Sequence, residues 1–240
     1  MCEKELSTGN YEKGIYWYRK AISLDPEFKE ISISLFLKMI ELGKKELNAG
    51  NYSKAILLFK EPADLDVDFE EAKIGLSKAY LALGKMEFNA KRENGYGGWY
   101  STRNNSKVIY FYQEALKFNP NLENKTKVLA ELNFSLGSKA NYSKDKENYF
   151  KKALDYDPNF DEAFFRYVDL LNQRSHGRLS NEERTEMISL HCQLRERINI
   201  GHPLYDQVQK YFKNRYNFKG NKYGIYGAWD DVCSGNALYR

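Results

Sequence analysis

The sequence holds little of what active sites and covalent scaffolds are usually made from. Cysteine appears three times in 240 residues, as Cys2, Cys192 and Cys233. An odd number, so widely spaced, argues against a disulfide framework and for a reducing compartment, so the cytoplasm is the expected location. None of the three has metal-ligand spacing. Cys192 adjoins His191, but neighbours on a helix point about 100° apart and do not face each other. His176, His191 and His202 are separated by fifteen and eleven residues, which defines no common site. There is no glycine-rich phosphate loop with a lysine, no paired-histidine motif and no strand-turn-helix frame for a nucleophile. No catalytic residue, metal or cofactor is therefore expected, and the chain reads as a non-enzyme.

Long apolar runs are missing as well. No stretch of 18 apolar residues exists, so no membrane span is expected, and the N-terminus lacks the basic and apolar regions of a secretory signal. Charge of one sign is also scarce. The net charge is +4; residues 1 to 171 hold 26 basic and 26 acidic side chains, and residues 172 to 240 hold 11 and 7. The whole excess lies in the last third, a tilt too weak to be a nucleic-acid footprint. Nucleic acid is thus not the expected partner.

What is present is a stretch written more than once. Gly50-Asn51-Tyr52-Ser53-Lys54-Ala55-Ile56-Leu57-Leu58-Phe59 leads to Leu65-Asp66 and Phe69, and a near copy runs from Gly9-Asn10-Tyr11 through Tyr18 and Ala21 to Asp25-Pro26-Glu27-Phe28. Two weaker copies follow, from Ser106 to Leu122 and from Asn141 to Phe160. Repetition at roughly 40-residue intervals marks a solenoid of stacked helical units. Within the units the spacing is helical. Residues 10–24 carry Ile15, Tyr18, Ala21 and Ile22 on one stripe; the helix from Lys29 to Ala49 carries Ile31, Leu35, Met39 and Leu42. Asp25-Pro26 stops the first helix, and Gly50-Asn51 supplies residues that tolerate positive φ at the end of the second. Pro62 predicts a kink or an early end in the helix 53–64.

The pattern resembles the tetratricopeptide repeat, a helix-turn-helix unit of about 34 residues. The small, aromatic, small and proline places of its second helix hold Gly14, Tyr18, Ala21 and Pro26, then Ala55, Phe59, Pro62 and Val67. In the third copy they hold Val108, Tyr112, Ala115 and Pro120, and in the fourth Lys146, Phe150, Ala153 and Pro158. In the first, or A, helix the step from a closing Phe or Leu to a Gly or Ser is fifteen residues each time: Phe28 to Gly43, Phe69 to Gly84, Leu122 to Gly137, Phe160 to Ser175. The resemblance implies an all-α solenoid of antiparallel helix pairs. The expected units are 1–28, 29–69, 70–122, 123–160 and 161–200, followed by a capping helix and tail over 201–240. Cys2 to Tyr11 aligns with Gly43 to Tyr52, the middle of a unit, so the chain is expected to be a segment of something longer.

The resemblance also implies a concave face lined by A helices that binds a peptide or partner segment. The lining positions would be Ile33, Leu37, Ile40, Ile74, Lys78, Leu81, Lys127, Glu131, Phe134, Phe165, Arg166, Asp169 and Asn172. The family's clamp for a C-terminal carboxylate is not carried over, because its basic and asparagine positions hold Ile33, Leu37 and Gly75. The copies differ in a polar connection, Lys91 to Asn105, whose Trp99 and Tyr100 either meet a partner or cover neighbouring helices. They differ also in a tail, Asn217 to Arg240, with Tyr223, Tyr226 and Trp229 among glycines. It either lies in the array's own groove or binds a partner. A scaffold or adaptor is the leading expectation. A regulatory or self-assembly segment of a larger protein, and an RNA-binding array using the basic last third, are the alternatives.

Overall fold

The computed structural model describes residues 2–25, 33–64, 69–93, 99–174, 181–216 and 233. Among them the chain forms eleven helices and one short hairpin. The helices are α1 (Cys2–Ser7), α2 (Tyr11–Leu24), α3 (Ile33–Asn48), α4 (Tyr52–Ala63), α5 (Glu70–Phe88), α6 (Asn105–Phe118), α7 (Lys125–Lys139), α8 (Ser143–Tyr156), α9 (Asp161–Arg174), α10 (Asn181–Arg197) and α11 (Tyr205–Tyr216). Two compact units divide the chain, Met1–Val128 and Leu129–Arg240. Consecutive helices pack on one another, α3 on α4, α4 on α5 and α5 on α6. The three-residue link from α3 to α4 makes those two helices antiparallel. The all-α helical-repeat class expected from the sequence is the one observed.

The repeated Gly-Asn pair builds the same turn twice. Gly9 and Gly50 have φ of 82° and 78°, a region that costs residues with a Cβ about 1–2 kcal/mol. The amide of Asn10 donates to Glu5 O at 2.9 Å, and that of Asn51 to Glu46 O at 2.9 Å. These bonds satisfy carbonyls that a helix end leaves unpaired. The asparagine side chains bond the same glutamates, Asn10 to Glu5 at 3.0 Å and Asn51 to Glu46 at 2.8 Å. Glu46 ties the copies together, because its carboxylate also accepts the Tyr11 hydroxyl at 2.7 Å.

The small residues of the repeat lie under aromatic rings. Phe59 of α4 sits over Gly43 of α3, where an added Cβ would come within 2.8 Å of the ring, and over Gly75 of α5, at 2.5 Å. Tyr112 of α6 lies closer still to Gly84 of α5, and Phe150 of α8 stands 2.7 Å from the corresponding point on Gly137 of α7. These rings and their alanine neighbours Ala55, Ala115 and Ala153 are buried. Helices this close also bond through a side chain: Ser77 of α5, fully buried, donates its hydroxyl to Ala115 O of α6 at 2.7 Å. In the first unit the core gathers Leu6, Tyr11, Ile15, Tyr18, Leu35, Phe36, Met39 and Leu58. Phe36 meets Tyr18 edge-on at 5.1 Å.

Three expectations change. Pro62 is buried in the last turn of α4, which continues to Ala63; proline there forfeits one backbone bond at a place where the helix is already ending. The Lys91 to Asn105 connection is ordered at its base. Lys91–Glu93 (β1) pairs antiparallel with Trp99–Ser101 (β2), Arg92 opposite Tyr100. Thr102 N donates to Ala90 O at 2.9 Å, and Arg103 closes the insert by donating Nε to Phe88 O at 2.7 Å with its guanidinium 3.8 Å above the Phe88 ring. Cys192 and Cys233 are joined in a disulfide. The cysteine count is odd because Cys2 is left free, and a separation of 41 residues in sequence did not reveal that folding closes it.

Two outcomes follow from this packing. Gly84→Ala should destabilise the first unit by about 1–3 kcal/mol through overpacking against Tyr112, whereas Gly9→Ala, with no atom within 4 Å of the added carbon, meets only the strained φ. Denaturant titration of both variants separates the two costs. Alkali is the second test. Burial, aided by the Glu46 carboxylate, pushes the Tyr11 hydroxyl up to about 12, and burial, aided by Glu61, does the same for Tyr18. Unfolded tyrosine ionises near pH 10. Between about pH 10 and 12 the unfolded chain therefore holds fewer protons than the folded one, and stability should fall as pH rises through that window. Absorbance titration at 295 nm with parallel melting curves checks this, and Tyr11→Phe should flatten the fall.

Candidate functional site

The A-helix faces expected to line a binding surface differ between the two units. In the first, α3 is two-sided. Leu35, Phe36, Met39, Ile40 and Gly43 are buried, whereas Ile33 and Leu37, one turn apart and away from Leu35 and Met39, are 49% and 55% exposed. Spacing explains the division: positions 33, 37 and 40 form one stripe and positions 35, 39 and 42 another. Ile40, at the edge of the outward stripe, is buried. On α5 the stripe Ile74, Lys78 and Leu81 has an exposed lysine between two half-buried aliphatic side chains. The two helices are neighbours, joined by an ion pair between Lys44 and Glu71. Both partners of that pair are well exposed, so it adds at most about 1 kcal/mol. Lys38 and Glu41 make a second exposed pair at 3.0 Å.

The first unit also contains a pocket of about 520 Å³, lined by Gly9, Asn10, Tyr11, Glu12, Lys13, Lys54 and Leu57. Its size would admit a small ligand, and two of its lining side chains already have partners. Lys13 binds Glu5 at 2.9 Å, and Tyr11 gives its hydroxyl to Glu46. Among the described residues no group of His, Cys, Asp and Glu is placed to hold a metal ion.

In the second unit the expected lining residues are mostly interior. Glu131, Phe134, Phe165 and Asn172 are 7%, 1%, 5% and 5% exposed. Phe134 packs on Phe150 at 5.7 Å and on Phe160 at 5.0 Å. Phe165 meets Tyr211 edge-on at 5.7 Å, and Asn172 donates to the Tyr211 hydroxyl. Asp169 accepts from Gln173 at 3.0 Å, and Arg166 is exposed with its guanidinium 5.7 Å from the Phe165 ring. Lys127, on the part of α7 in the first unit, is exposed. Trp99 and Tyr100 lie on β2. The tail aromatics Tyr223, Tyr226 and Trp229 lie outside the described residues.

Sequence reasoning missed His191. It is almost fully buried, and its Nε2 lies 2.9 Å from the Tyr211 hydroxyl. It therefore joins Asn172 and Tyr211 in a polar network linking α9, α10 and α11. No local pattern announces the contact, since Tyr211 is 20 positions away.

Helix pairs in which a B-helix aromatic rests on an A-helix glycine, at Gly43, Gly84 and Gly137, are the deciding observation. The fold is tetratricopeptide-like. No family model matches the chain, and no curated protein does. Among solved structures it is similar to two crystal structures of MamA and to YrrB, described as a TPR protein with an unusual peptide-binding site. The first MamA structure is 17% identical, with 82% of this chain and 94% of that one covered at a TM-score of 0.33. For the second the values are 16%, 92%, 94% and 0.33, and for YrrB 15%, 87%, 88% and 0.37.

Within this tetratricopeptide-like array, burial separates surface positions from packing positions. Leu37→Asp should leave the helical circular dichroism signal and melting curve nearly unchanged, within about 0.5 kcal/mol. Phe134→Asp should cost more than about 4 kcal/mol, because it buries a charge among aromatic rings.

Proposed function

We propose that the chain is a non-catalytic interaction scaffold, and that the α3–α5 face of the first unit receives a segment of another polypeptide. Two aliphatic side chains, Ile33 and Leu37, standing half open to water one turn apart on an A-type helix carry this reading. A soluble surface tolerates single exposed aliphatics. An aligned pair on one face of a helix whose other face is buried is what anchors an amphipathic or extended segment. Lys78 on the neighbouring helix adds a cation, so the matching segment would carry two aliphatic residues and a carboxylate. The aliphatic anchors would supply affinity by leaving water, about 25 cal/mol per Å² of apolar area covered. The carboxylate would set orientation more than strength.

Selection from a random peptide display library on the immobilised chain tests this. Enriched sequences should combine aliphatic pairs with Asp or Glu, and binding should fall at least ten-fold on the double variant Ile33→Asp/Leu37→Asp, whose fold is retained. Peptides that bind the variant as tightly as the unaltered chain would place the site elsewhere.

A further inference from the structure

The last helices of the second unit are held together differently from the earlier pairs. At Gly43, Gly84 and Gly137 a ring rests on a glycine and lets two helices approach closely. Helices α9, α10 and α11 contain no glycine at all, the nearest described one being Gly201 in the turn before α11. Their contact depends instead on the cluster Phe164, Phe165, Val168, Leu194, Ile198 and Val208 and on the Asn172–Tyr211–His191 network. Cys192 follows His191 directly on α10. It is bonded to Cys233, with the two Cα atoms 5.6 Å apart, a distance a disulfide spans without moving the backbone. Cys233 packs half-buried against that same cluster.

We propose that Cys192–Cys233 is a covalent staple completing the C-terminal end of the second unit, formed in an oxidising compartment by a disulfide-donating oxidant. The physical need is specific to this end. Helices α9 to α11 lack the glycine-aromatic contact that seats the earlier pairs. A cross-link across 41 residues restricts the unfolded chain and favours the closed end. The chemistry balances as two exchanges. One cysteine thiolate attacks the donor disulfide and releases a donor thiolate; the second then displaces the donor's remaining sulfur. Two protein thiols lose two protons and two electrons, and one donor disulfide becomes two thiols. Cys2, in the first unit, remains a free thiol. The staple opposes the reducing compartment suggested by cysteine number, because persistent structural disulfides belong to oxidising compartments.

The test uses the full chain made in two ways, retained in a reducing cytosol or exported to an oxidising compartment. Each sample is acid-quenched, denatured and alkylated, and a folded portion is treated with protease. The exported chain should take up one label, at Cys2, and three after reduction. Dithiothreitol should speed cleavage within residues 181–240 at least ten-fold and leave cleavage within residues 1–128 unchanged. The cytosolic chain should behave like the reduced form in both readings, and Cys233→Ser, which keeps two thiols, should match it in protease sensitivity. If Cys233→Ser does not accumulate, reduced unaltered chain gives the same reading. Three labels on the exported chain would overturn the proposal, as would equal protease resistance of the oxidised and reduced forms.

Discussion

An aromatic ring resting on a glycine is the contact that sets four of the helix pairs here, α3–α4, α4–α5, α5–α6 and α7–α8. Without a Cβ at Gly43, the Phe59 ring lies against the α3 backbone, and because Gly75 is bare on its other side the same ring fixes α4 against α5. One side chain thereby sets two helix-helix distances. The contact recurs at Gly84 with Tyr112 and at Gly137 with Phe150, so one geometric unit is propagated along the chain. Close approach has a chemical consequence too, since it brings the Ser77 hydroxyl within bonding distance of a backbone carbonyl on the next helix. A buried hydroxyl is tolerated only when such a partner exists.

Once those distances are set, what differs between the A helices is how much of their outward faces is covered. They are not equivalent. Helix α3 keeps Ile33 and Leu37 open, while α7 and α9 bury Phe134, Phe165 and Asn172. The heptad-like stripe is the same in each, so periodicity alone could not distinguish them. The difference lies in what packs against the stripe: Phe150 and Phe160 on Phe134, and Tyr211 on Phe165.

The end of the second unit shows how the same fold is maintained where its defining contact is missing. Hydrogen bonds to Tyr211 from two helices and a disulfide occupy the role of the glycine-seated ring. Polar networks and cross-links are directional and specific, but they arise from residues far apart in sequence. That is why His191, Asn172 and Cys233 carried no local signature.

The sequence by itself determined the helices, their pairing and the places of closest approach, because these follow from short-range periodicity, from Gly-Asn turns with positive φ, and from a repeat that writes each contact several times. It determined Tyr18, Phe59, Tyr112 and Phe150 as core residues for the same reason. Only the tertiary structure decided which A-helix stripe faces water, that the Lys91 to Asn105 insert closes through Arg103 on Phe88, and that Cys192 meets Cys233. Each of these depends on side chains brought together by the packing of several helices, and no spacing within one helix encodes which neighbour will cover it.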